Sequence, residues 1–188
     1  MRFLLLISIF LCICEGASAQ AVQQAVEQDS VPIVFNAVIE VSGQVISGIM
    51  VIKREENRCR VLFTTVAGPK LMDIYIDAVN YEILYVIKKL KKKVVLQLFQ
   101  KDFALITGLY LAATYRDYGE GVRTVKLSKK KSVSYVFNQQ KQIVRAEYLG
   151  KNKILVEVNY TYQSGRLDSI FLRHHNFNMK IRLNPIWD

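Results

Sequence analysis

Few side chains in this sequence have the type and spacing for chemistry. The two histidines, His174 and His175, are adjacent in a segment that reads as a strand. Neighbours on a strand point to opposite faces, so the pair cannot act as base and orienter or ligate one metal together. Cys59 falls between apolar positions, which suits a buried thiol better than a nucleophile. Asp73 and Asp77 alternate with Leu71 and Tyr75 on the outward face, which suits solvation better than acid–base work. Asn159-Tyr160-Thr161 matches a glycosylation sequon but sits in a strand. There is no phosphate loop, metal-ligand spacing or nucleotide turn. The chain is therefore expected to be no enzyme and to need no cofactor or metal.

The remaining chemical resource is apolar surface on two kinds of element. From Val31 the pattern alternates with period two, and Ile33, Phe35, Ala37, Ile39 and Val41 share a face. A turn at Ser42-Gly43 pairs Ile39 with Ile46, Ala37 with Gly48 and Phe35 with Met50. A turn at Glu56-Asn57 pairs Ile52 with Val61 and Met50 with Phe63. A turn at Ala67-Gly68 pairs Phe63 with Met72, Val61 with Ile74 and Cys59 with Ile76. Three hairpins agree on one face, and a slip of one residue would invert every side chain. A fifth strand follows over 81–86, with Leu84 and Val86 or Ile83 and Tyr85 inward.

The period then becomes helical over 94–106, with Val94, Val95, Leu98, Phe99, Phe103, Leu105 and Ile106 mostly on one stripe and Gln97, Gln100 and Lys101 on the other. Gly108 is placed to end that helix. Residues 109–120 read as a loop or short helix. Strands resume at 122–128, 132–138, 143–149 and 154–163, and the last runs from Leu167 to Arg182 with a break near Asn176. The expected fold is mainly β: about ten antiparallel strands in a strongly curved sheet or unclosed barrel, with the helix plugging the concave face. Phe35, Ile39, Met50, Val61, Phe63, Met72 and Ile74, facing Phe99 and Phe103, are a packed core or the lining of a cavity for an acyl chain.

The 188 residues suit one domain, and three cysteines do not make a disulfide scaffold. Residues 1–19 read as a secretory signal: Arg2, an apolar run from Phe3 to Ile13, and Ala17-Ser18-Ala19 before a cut at Gln20. Lipidation of Cys14 is the alternative, which would anchor the protein at the outer membrane. Residues 20–188 then form a single domain, opened by a short helix over 20–28. The protein is expected to be exported to the periplasm and monomeric.

Of the net charge of +10, +9 lies between Ile87 and Lys131. An exported protein meets membranes rather than nucleic acid, so Lys88, Lys89, Lys91, Lys92 and Lys93 are a solvated helix start or a surface for anionic headgroups.

The order of signal, short helix, strand meander, helix and further strands resembles the bacterial lipoprotein carrier and outer-membrane lipoprotein receptor superfamily. The stretch Val45 to Ile52, followed by Arg60 to Gly68, is similar to the receptor branch, as is the C-terminal run Lys180 to Trp187. The pattern Gly68 to Asp73 is similar to an envelope-protein subgroup of Bacteroidetes. The resemblance implies an open barrel whose cavity takes lipid or lipoprotein acyl chains, in transport to the outer membrane. It also implies a membrane-probing loop at Val66, Ala67 and Gly68. Receptors carry a protruding leucine just before the loop glycine, where this chain has Ala67. The alternative is an envelope protein–protein interaction module with a filled core and no lipid cargo.

Overall fold

The computed structural model describes residues 31–55, 57–112, 121–151 and 153–187. The expected signal segment, Cys14 and the short helix over 20–28 lie outside these residues. Strands β1 (Ile33–Val41), β2 (Gln44–Glu55), β3 (Arg58–Thr64), β4 (Lys70–Ile76) and β5 (Tyr81–Val86) form a meander. A 3-10 turn, Lys88–Leu90, leads into helix α1 (Lys93–Ile106), and a short helix α2 (Leu109–Ala112) follows. Strands β6 (Gly121–Ser128), β7 (Lys131–Phe137), β8 (Ile143–Gly150), β9 (Lys153–Gln163), β10 (Arg166–His174) and β11 (Met179–Pro185) form a second meander.

All eleven strands join one antiparallel sheet in the order β5-β4-β3-β2-β1-β11-β10-β9-β8-β7-β6. The expected fold class holds, with the last run divided into β10 and β11 at residues 175–178. Each hairpin register read from the sequence is present: Phe35 opposite Met50, Met50 opposite Phe63, Phe63 opposite Met72 and Cys59 opposite Ile76. The two meanders meet where β1 pairs with β11, Ile39 opposite Ile181 and Phe35 opposite Pro185. The sheet is not closed: β5 and β6 are its two edges.

Helix α1 links those edges across one face and touches β4 and β5 on one side and β8, β9 and β10 on the other. One helix can reach both ends of the strand order only if the sheet curls around it. Its stripe of Leu96, Phe99, Phe103 and Ile106 is buried, and burial of such side chains yields roughly 1.5–3 kcal/mol each. Two expected facings are corrected: Val94, in the first turn, is exposed, and Gln100 is buried because its amide bonds the Asp77 carbonyl. Gly108, at φ 69°, ends the helix in the left-handed conformation that suits glycine.

Strand β5 resolves its ambiguous facing. Neither inward set is buried as a whole: Ile83, Leu84 and Tyr85 are exposed, while Val86 packs partly buried against the core, and a register shift falls between Asp73 and Ile74 opposite this edge strand. Gly48 on β2 answers a close approach, since a Cβ there would lie 1.9 Å from the Thr64 carbonyl oxygen. Thr64 adjoins an irregularity in the β3–β4 pairing, between Phe63 and Thr64.

Candidate functional site

The nine apolar candidates occupy one continuous place. Phe35, Ile39, Met50, Val61, Phe63, Met72 and Ile74 line the concave face of the β1–β4 half, and Phe99 and Phe103 meet them from α1. Each is at most 4% exposed. The Phe99 and Phe103 rings lie 6.0 Å apart and tilted, a favourable aromatic arrangement. All nine belong to one packed cluster that continues through Val133, Tyr135, Val158 and Leu172 in the other half.

A cavity of about 150 Å³ lies elsewhere, between α1 and strands β8 to β10. Leu98 and Leu105 of the helix, Tyr148, Leu155 and Val156 of the sheet and Phe177 of the β10–β11 loop wall it. Its polar lining comprises Lys101, Lys131, Asn176 and the pair Asp102–His174, in contact at 3.0 Å between Oδ2 and Nε2. Both residues are buried, and the Phe177 ring stands 4.3 Å from the imidazole. Burial pushes the Asp102 carboxyl above its ordinary range, against the opposing pull of His174 and Lys101. His174 and His175 do lie apart, but β10 ends at His174, and His175 is exposed in the turn beyond it, beside Glu157. The sequence reading did not identify Asp102, on the helix, as the partner of His174. A helical stripe containing one carboxylate among Phe99, Phe103 and Ile106 is the clue that was there to read.

The polar ties of α1 gather at its C-terminal half. Tyr160 donates to the carbonyl of Ile106 at 2.8 Å, and Tyr135 reaches that of Leu105 at 3.4 Å. The Arg54 guanidinium donates to the carbonyl of Thr107. These bonds satisfy carbonyls that a helix end leaves open, and the cation suits the negative end of the helix dipole. Gln100 donates to the carbonyl of Asp77 at 2.8 Å. Among the described residues, no side chain from 93 to 99 makes a polar bond to the sheet. Lys92 at the N-cap supplies no capping bond, and no acidic residue lies in the first turn.

Register carries the basic segment to a defined place. Met72 pairs with Val86, and the Ile87 amide donates to the Leu71 carbonyl. Lys88, Lys89, Lys91, Lys92 and Lys93 therefore lie beside the β3–β4 turn holding Val66, Ala67 and Gly68, and all eight residues are exposed. Val66 is 77% exposed in that turn, with Ala67 exposed beside it.

Two readings of polar residues are revised. Asp73 points outward but is not solvated: it is 1% exposed, held by Arg60 through two bonds of 2.9 and 2.8 Å and by Lys70 at 2.9 Å. Asp77 works in its own turn, where its Oδ1 accepts from the amides of Val79 and Asn80. Cys59 is buried as read, and burial pushes its thiol up to about 12, far from thiolate chemistry at neutral pH.

No protein-family model and no curated protein matches the chain. Among solved structures it is similar to a DUF1329 family protein from Desulfovibrio piger, at 9% identity over 88% of each chain and a TM-score of 0.41.

Proposed function

We propose that this protein binds the acyl chain of a lipid or lipoprotein between helix α1 and the concave face of its open sheet. In this reading it is an exported, non-catalytic monomer of the cell envelope that shelters apolar cargo, in the manner implied by the resemblance to lipoprotein carriers. The observation that carries the reading is the uneven attachment of α1. Its C-terminal half is bonded to the sheet by Tyr135, Tyr160 and Arg54, while residues 93–99 rest on apolar packing alone. The helix can hinge at its bonded end and lift at the other.

Opening is needed, because the cavity beside Leu98 and Phe177 holds the space of about five water molecules. A lifted α1 extends that cavity along the buried faces of Phe99 and Phe103. Apolar area withdrawn from water on cargo binding, at about 25 cal/mol per Å², then compensates for the helix–sheet packing that opening disrupts.

The test is uptake of a fluorescent long-chain fatty acid, with Leu98→Glu as the probe variant. Leu98 is partly exposed, so the charge can be solvated in the closed state while barring an apolar chain. Saturable uptake by wild type, lost in a folded Leu98→Glu, supports the reading. A wild type that takes up no probe sinks it. The second reading, a filled-core interaction module, is favoured by the packing of Phe103 and Met50 at 0% exposure. Native mass spectrometry separates the two: co-purifying acylated species belong to the carrier, and a bare chain belongs to the module.

A further inference from the structure

The lysine clusters that are distant in sequence lie along a single rim of the sheet. Because every strand pair is antiparallel, the pairs Val41–Gln44, Thr64–Lys70, Met72–Val86, Ser128–Lys131, Gly150–Lys153 and Arg173–Lys180 fix which turns share an end. The turns at 42–43, 65–69, 129–130 and 175–178, Lys151 and the segment 87–93 all lie at that end. At the strand spacing of a sheet, eleven strands give a rim of about 50 Å.

None of these turns contains an aspartate or glutamate. The segment 87–93 brings five exposed lysines, and the β6–β7 and β8–β9 turns add Lys129, Lys130, Lys131, Lys151 and Lys153. Among the described residues, none of these lysines pairs with a carboxylate. Rim carboxylates are otherwise engaged: Glu40 with Lys180, and Glu157 with Arg173 and His175. The opposite end is mixed in sign, with Glu55, Arg58, Asp77 and Arg166 near its turns.

Exposed apolar side chains stand among the lysines at the same rim: Val45 at 64%, Val66 and Val94 at 77%, and Phe177 at 38%. A hollow of about 920 Å³ beside the β6–β7 tip is walled by Lys126, Lys129, Lys130, Lys131 and Lys151 together with Leu127 and Leu149. Lysines interspersed with aliphatic tips suit a surface that is anionic outside and apolar just beneath. Nucleic acid would be served better by arginine forks and aromatic stacking platforms, and Phe177 is the sole aromatic in these turns.

We propose that this rim docks the protein on an anionic lipid bilayer, with the lysines on headgroup phosphates and Val66, Val94 and Phe177 in the interface. The inference deepens the acyl-chain reading, on which its purpose rests: the mobile end of α1 and the Leu98–Phe177 cavity would then open toward the membrane.

The experiment is flotation with vesicles of phosphatidylcholine alone and of phosphatidylcholine with one-third phosphatidylglycerol. All proteins compared carry the same N-terminus, as processed by the secreting host. Binding to the anionic vesicles, falling with added salt, is expected. The pairs Lys89→Glu with Lys92→Glu, and Lys129→Glu with Lys130→Glu, should each lose about tenfold or more in partitioning. The control pair Lys53→Glu with Arg166→Glu, away from the rim, should change it less than twofold. Equal loss in rim and control pairs, equal binding to both vesicle types, or tighter binding to single-stranded oligonucleotide than to anionic vesicles overturns the proposal. Fatty-acid uptake in detergent-free buffer without vesicles is read on the same variants. Docking can therefore fail while uptake persists, and uptake can fail while docking persists.

Discussion

The Nε2 of His174 lies 3.0 Å from the Oδ2 of Asp102, joining β10 to α1 where neither side chain reaches water. The other carboxylate oxygen, Oδ1, has no hydrogen-bond partner among the described residues. The pair is thus asymmetric: His174 is the support that makes a buried carboxyl tolerable.

Removing that support should cost more than removing the charge. His174→Leu leaves Asp102 buried and alone, and should destabilise by about 3–5 kcal/mol. Asp102→Asn keeps the shape without the charge and should cost about 1–2 kcal/mol. Urea unfolding of both variants measures the difference.

The pH dependence follows from the raised Asp102 carboxyl. The folded state holds this proton above the ordinary value of 3.8, at which the unfolded state releases it. Its contribution to stability is therefore greatest below 3.8 and is lost as pH rises through the folded value. Asp102→Asn should remove that downward slope, which denaturation midpoints across the acid-to-neutral range will read.

Asp73 should behave with the opposite sign. Arg60 and Lys70 hold its carboxyl at about 2, so its contribution is present above 3.8 and disappears as pH falls toward 2. Both cations keep about two-fifths of their side chains exposed, so water screens the pair. Asp73→Asn should cost about 1 kcal/mol at neutral pH and little at pH 2, measured by thermal unfolding at each pH.

Gly48→Ala should cost at least about 3 kcal/mol, because the new methyl meets a backbone oxygen that cannot rotate away. A near-normal denaturation midpoint in that variant would mean that the Thr64 carbonyl does not approach Gly48 this closely in solution.

Hydrogen exchange should divide α1. Amides of residues 97–99 should exchange at least tenfold faster than those of 103–106, because local opening starts where polar ties are missing. A bound fatty acid should slow the first group selectively. Uniform exchange along the helix would remove the hinge.

The β1–β4 half was legible because its alternation is strict and its turns carry Gly or Asn at the needed offsets, so each register followed from counting. The helix was legible from Phe99 and Phe103. The pairing of β1 with β11 was not, because about 140 residues separate Ile39 from Ile181 and no local pattern encodes that meeting. The role of Asp73 was hidden for a related reason. Alternation gives the direction of a side chain, while the arms of Arg60 and Lys70 decide whether water reaches it. The basic rim needed the complete strand order before the lysines within 88–93, 129–131 and 151–153 fell at one end of the sheet.

The seam between β1 and β11 also sets a timetable. Each meander assembles from neighbouring hairpins, which close quickly, whereas the seam joins the first strand to the last. A chain made or threaded from its N-terminus completes β1 to β5 while β11 is still to come. During that interval β1 is a nine-residue edge with Phe35, Ala37 and Ile39 on one side and its outer hydrogen bonds vacant. Such an edge recruits other strands. The nascent chain therefore carries an aggregation-prone edge until its last seven-residue strand arrives, and losing β11 should give an aggregating chain rather than a slightly smaller sheet.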